Sequence, residues 1–171
     1  MPKNILDNNG FNGLVKGRYG YVLYNKKDTY IGKAIEKYGE FSELETTLFQ
    51  QICQKDDVVL DIGANIGAHT LAMSHFVGPK GRVFAFEPQP IVYQTLCANM
   101  AVNSITNVNC ECVALSDQSG DVLIPDINYD TQGNFGGVAI EQFSQGQKIP
   151  KKTLDESLDV TRLKFIKIDV E

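Results

Sequence analysis

The sequence predicts an α/β fold, a parallel sheet with helices on both faces, preceded by an N-terminal β-hairpin and helix. Three observations carry this. Short apolar runs with the profile of doubly buried strands recur at 57–62, 82–86 and 163–170. Segments of helical periodicity alternate with them. The connections are long enough for the right-handed crossovers that a parallel sheet requires.

The elements follow in order. Residues 10–35 alternate aromatic and β-branched side chains with Gly and Lys and turn at Asn25-Lys26-Lys27-Asp28, which reads as a hairpin ending in Thr29-Tyr30-Ile31-Gly32. Ser42-Glu43-Leu44-Glu45 matches a capping box, and Leu44, Leu48 and Ile52 recur at helical spacing, predicting a helix over 43–54. Asp57 to Ile62 reads as a buried strand, Gly63 to Gly67 as a turn, and 67–77 as a helix carrying Leu71, Met73 and Phe76 and stopped by Gly78-Pro79. Arg82 to Phe86 is a second strand, 90–102 a helix, and Val108 to Val113 a third strand. Residues 120–150 are rich in Gly, Asn, Asp and Gln and predict loop with short strand fragments, before a fourth strand at 163–170. The chain thus divides into a hairpin and helix at 1–55 and a sheet domain at 56–171.

A length of 171 residues with 43% hydrophobic and 22% charged side chains is that of a folded domain. The net charge of −5 argues against a broad phosphate-binding surface, so a small-molecule partner is expected and nucleic acid is not. No run approaches the roughly 18 apolar residues of a membrane span, and the N-terminus lacks a signal-peptide core, which points to the cytoplasm. Cysteines 53, 97, 110 and 112 match no metal-ligand spacing and read as reduced core residues.

Ligands of open α/β sheets bind beyond the carboxyl ends of the strands, where the strand order reverses. Asp61, Glu87 and Asp169 stand at such ends. In Gly63-Ala64-Asn65-Ile66-Gly67 the missing Cβ atoms let backbone amides approach a ligand. Glu87, an acid roughly twenty residues beyond the loop, is placed to accept hydrogen bonds from ribose hydroxyls, as in dinucleotide and S-adenosylmethionine sites alike. Asp61 separates the two: a carboxylate beside the loop repels a pyrophosphate and attracts an ammonium and a sulfonium, by about 1–4 kcal/mol at close range. The loop also lacks G-x-G-x-x-G, which makes a nicotinamide-dependent oxidoreductase the lesser alternative.

Most of the chain resembles the FkbM methyltransferase family, in Tyr38-Gly39-Glu40-Phe41-Ser42-Glu43, Val59 to Gly67, Val83 to Pro88, Asn107-Val108, Ala114-Leu115-Ser116-Asp117, Thr153-Leu154-Asp155 and Ile166 to Glu171. That resemblance implies the Rossmann-like sheet of class I methyltransferases, S-adenosyl-L-methionine as methyl donor, and transfer to an oxygen of a small metabolite or saccharide. By similarity Asp61, Gly63, Asn65 and Gly67 surround the methionine part, Glu87 the ribose, and the turn at Val113 and Ala114 the adenine, with Ala64 and Pro88 completing the cofactor-binding set. Asp169 is the first candidate for orienting the acceptor or serving as base, and Glu171 the second. His69 and His75 read as surface or packing residues, and similarity folds the loop at Asn134 over the site. No metal is expected, because metal-dependent transfer needs a further acid or amide beyond the fourth strand. The family's sheet continues past Glu171, so the fold is expected to be C-terminally incomplete, with an open edge through which it self-associates. The alternative to an active enzyme is a catalytically incomplete S-adenosylmethionine-binding or interaction module.

Overall fold

A computed structural model of the chain describes residues 1–6, 9–139 and 143–170. β1 (Asn12–Lys16) and β2 (Tyr21–Asn25) form an antiparallel hairpin in which Leu14 faces Leu23. Its turn lies at Gly17 to Gly20, closed by the Gly17 amide donating to the Gly20 carbonyl at 2.8 Å, and not at Asn25 to Asp28 as expected. The latter segment leads instead into a helix that the sequence reading took for strand, α1 (Ile31–Tyr38). Buried Asp28 winds it: its carboxylate accepts the Tyr30 amide at 2.8 Å and its carbonyl accepts the Lys33 amide at 3.1 Å. The chain then turns at Gly39, whose φ of 74° suits a residue without Cβ.

α2 (Glu43–Ile52) forms where a helix was expected, but without the expected capping box. Ser42 adopts a left-handed conformation (φ 47°, ψ 57°) from which its hydroxyl does not reach the first turn, and only its carbonyl serves, accepting the Thr46 amide at 3.1 Å. A capping box does form further on, at Thr153 and Glu156.

The central elements are β3 (Val58–Ile62), α3 (Ala68–Val77), β4 (Arg82–Phe86), α4 (Pro90–Val102) and β5 (Val108–Glu111). The third strand stops at Glu111, short of the expected Val113, and the chain bends into β6 (Ala114–Leu115). β7 (Gly120–Ile124) and β8 (Gln147–Lys152) then pair antiparallel over five positions, and α5 (Leu154–Ser157) leads to β9 (Phe165–Ile168). The parallel sheet has the order β5-β4-β3-β9, so the order reverses beside β3. β6, β8 and β7 make a separate small sheet.

Period-two alternation sorts the side chains of the parallel sheet. Val59, Val83 and Ala85 pack under α2, α3 and α4 with Phe49, Met73, Leu71 and Leu96, and the same layer takes in Val15, Val22 and Tyr24 of the hairpin. Leu60, Ile62 and Phe86 face the other way, against Leu115, Leu154, Leu158 and Leu163. The free edge of β2 is closed by side chains of α4 and of the residue that caps it: Asn99 accepts the Leu23 amide (2.6 Å) and donates to its carbonyl (3.0 Å), and the C-cap Asn103 does the same for Tyr21. β9 lies at the sheet edge with Ile166 and Ile168 exposed. No helix among the described residues is long and apolar enough to cross a membrane.

Candidate active site

The register of β3 and β9 sets Asp61 directly opposite Lys167. Asp61 has no exposed surface; its Oδ2 accepts the Thr70 hydroxyl at 2.6 Å and its Oδ1 faces the Lys167 ammonium at 3.1 Å. The same ammonium donates to the Gly63 carbonyl at 2.8 Å. Where a direct attraction between Asp61 and a bound cation is expected, the structure puts the Lys167 ammonium beside the carboxylate and leaves Asp61 out of the cavity lining. The carboxylate sits behind the site wall, and Lys167 neutralises it.

The loop also differs from expectation in how its amides are used. Gly63 and Ala64 both donate to the Phe86 carbonyl, Asn65 to Glu87, Ile66 to the Asn65 side chain, and Gly67 to the Ala64 carbonyl. All five N–H groups are consumed internally, so none is left over for a ligand. Glycine is needed at 63 for another reason: φ is 74°, and a Cβ there would run into the Asp169 carbonyl oxygen. At Gly67, φ is 83° and the space is taken by Leu96.

Glu87, just past β4, is 3% exposed. Its Oε2 accepts the Asn65 amide and its Oε1 the Gln89 amide, each at 2.9 Å. Burial is the largest influence on this carboxyl and pushes its pKa up to about 7, against the lowering effect of those two amides and of Lys167. Each oxygen keeps a further acceptor lone pair.

Glu87 lines a cavity of about 220 Å³ together with Gly63, Ala64, Asn65, Pro88, His69, Lys167 and Asp169. The loop carrying Asn134, Gly136 and Gly137 closes one side. It is pinned by Gln89, which donates to the Phe135 carbonyl at 2.8 Å, and a Cβ on Gly136 would lie 2.6 Å from the side-chain Nδ2 of Asn65. Val113 and Ala114 line a second cavity of about 720 Å³, which shares Gly63, Pro88 and Val170 with the first. The Asp169 side chain is 78% exposed and stands 3.9 Å from the Lys167 ammonium. Glu171 lies outside the described residues.

Of the two expectations for His69, surface or packing, the structure shows packing. The residue is buried, lines the first cavity and sits between the rings of Phe41 and Phe49, with Nε2 lacking a hydrogen bond and 3.8 Å from Glu45. Burial holds its pKa below the ordinary 6.5. His75 is exposed, with Nε2 2.9 Å from the Tyr19 carbonyl. Of the cysteines, all free, Cys53 alone is fully buried. Sequence reasoning missed Lys167, Thr70 and Gln89. For Lys167 the signal was present as one charge inside the apolar run Phe165-Ile166-Lys167-Ile168, a placement that demands a partner.

The family model described as the methyltransferase FkbM domain matches residues 61–171. The chain belongs to the FkbM methyltransferase family. The hexuronic acid methyltransferase AglP of Haloferax volcanii is 32% identical over 124 residues, 72% of this chain and 49% of that protein. The 31-O-demethyl-FK506 methyltransferase FkbM of Streptomyces tacrolimicus is 41% identical over 64 residues, 37% of this chain and 24% of that protein. Among solved structures, M. jannaschii TYW2 in complex with AdoMet superposes with a TM-score of 0.49 at 22% identity, covering 68% of this chain and 55% of that one. This FkbM-family chain spans about half the length, or less, of those curated relatives. The matched segment begins at Asp61 and takes in the glycine loop, Glu87 and β9, while the hairpin, α1 and α2 precede it.

Proposed function

We propose that this FkbM-family chain binds S-adenosylmethionine and directs its methyl group to a hydroxyl oxygen of a small metabolite or saccharide. The observation that carries the reading is Glu87. A buried carboxylate, fixed by two backbone amides and lining a cavity at the strand-order reversal, is suited to accept a pair of ribose hydroxyls. A loop whose amides are all used internally offers nothing to a pyrophosphate, which favours S-adenosylmethionine over a dinucleotide.

In this reading Val113, Ala114 and Pro88 flank the adenine in the larger cavity, and Gly63, Ala64, Asn65 and Asp169 border the methionine part in the smaller one. Asp61 and Gly67 act indirectly, by holding Lys167 and the loop. The bound sulfonium supplies an activated methyl group, so the protein's task is alignment and proton removal. Phe41 and the Asn134 loop wall off water. Asp169 orients the acceptor hydroxyl or takes its proton. The relatives named for a hexuronic acid and for 31-O-demethyl-FK506 support an oxygen acceptor. A second reading, binding without transfer, is favoured by the exposure of Asp169, whose side chain is not enclosed with the cavity. We place the protein in the cytoplasm.

Calorimetric titration tests the cofactor. S-adenosylmethionine and S-adenosylhomocysteine should each bind one to one and NAD should not; absence of binding by both would overturn the reading. Labelled methyl transfer to hydroxyl acceptors such as p-nitrophenyl glucuronide distinguishes the enzyme from the binding module.

A further inference from the structure

Resting on that cofactor reading, we infer that Lys167 is the anchor for the carboxylate of the cofactor's amino-acid end. Lys167 lines the smaller cavity with its side chain 11% exposed, in company with Gly63 and Asp169. An ammonium has three donors. Only one of them is spent on a well-formed hydrogen bond, to the Gly63 carbonyl at 2.8 Å. Asp61 Oδ1 is 3.1 Å away yet has no aligned hydrogen bond, and Asp169 Oδ2 at 3.9 Å is beyond hydrogen-bond reach. The ammonium therefore keeps donor capacity while lining the cavity, in surroundings where little water screens it.

The neighbouring charge supports the same assignment. An α-amino acid carries its ammonium and carboxylate on one carbon, so a protein that recognises both must set opposite charges close together. Lys167 and Asp169 do this at 3.9 Å, two residues apart on one face of the chain at the end of β9. With the ligand carboxylate on Lys167, its ammonium falls beside Asp169, and the second Asp169 oxygen remains for the acceptor. The competing account makes Lys167 a counter-charge for Asp61 and nothing more.

The two accounts separate on three compounds titrated into the full chain: S-adenosylmethionine, its decarboxylated form, and 5′-methylthioadenosine, which lacks the amino-acid end. The wild-type protein should bind S-adenosylmethionine at least tenfold more tightly than the decarboxylated compound. Lys167→Met should erase that ratio and leave the affinity for 5′-methylthioadenosine unchanged. Because this variant strips Asp61 of its partner, it is also made with Asp61→Asn, which restores neutrality, and the ratio should stay erased. Equal wild-type affinities for the first two compounds, or a ratio that survives in the double variant, would overturn the role of Lys167 and leave the cofactor reading standing. A wild-type protein that binds none of the three overturns the cofactor reading, and the assignment of Lys167 falls with it.

Discussion

Asp61 on β3 and Glu87 just past the neighbouring strand β4 are both buried, and the chain treats the two carboxylates differently. Asp61 has a cation from the next strand and a hydroxyl from α3, and it does not line the cavity. Glu87 has two backbone amides, and Lys167 only at longer range, and it lines the cavity. The first arrangement pairs its charge inside the fold and holds a wall in place. The second leaves acceptor capacity turned toward a ligand, at the expense of a carboxyl that burial drives to about 7.

The largest effect is expected at the ion pair. Asp61→Ala leaves Lys167 buried without its partner and should cost about 3–5 kcal/mol, read from urea unfolding. Asp61→Asn combined with Lys167→Met should lose less than the sum of its single variants. An Asp61→Ala loss near zero would show that the pair holds nothing.

Glu87 should act through pH. Its folded pKa of about 7 lies above the ordinary 4.5, so the folded state favours the protonated carboxyl. The associated stability is fully present below pH 4.5 and is lost as pH rises through about 7, a change of about 3 kcal/mol. Glu87→Gln cannot ionise. Measured by urea unfolding, its stability relative to wild type should improve by about that amount between pH 4.5 and pH 8. Parallel profiles would mean that burial does not strain Glu87.

Asp169 sharpens the comparison from the other side. It carries the same charge near the same lysine but is mostly exposed, so Asp169→Asn should change stability by no more than about 0.5 kcal/mol. In a form of the protein that turns over, single-turnover transfer should fall roughly a hundredfold if Asp169 is the base. Normal rates at saturation with weakened cofactor affinity would make it a binding group.

What the sequence revealed and what it hid follow a physical division. β3, β4, α3 and α4 were legible because their apolar periodicity is local and strong. α1 was not, because its start depends on buried Asp28, which is packed against a distant segment through the bridge to Gly133. The Ser42 capping box failed for a related reason. Four residues can spell the motif while the backbone angle at the first of them, set by the turn after α1, withholds the hydroxyl. In the site, Glu87 was legible from its spacing to the loop. The place of Lys167 required the register that brings it opposite Asp61, a pairing across 106 residues that no local pattern contains. His69 could be placed only once Phe41 and Phe49 were seen on either side of it.

The central claim, that Glu87 receives the ribose of S-adenosylmethionine, is tested most directly by affinity as a function of pH. Hydroxyl donors favour the ionised carboxylate, so binding should expel a proton near neutrality, and wild-type affinity should rise about tenfold from pH 6 to pH 8. Glu87→Gln keeps His69 and every other titrating group, so the difference between the two profiles belongs to Glu87. The account predicts that the variant binds about 1.5–3 kcal/mol more weakly at pH 8 and lacks that rise. A variant that binds as tightly as the wild-type protein and follows the same pH profile would contradict it.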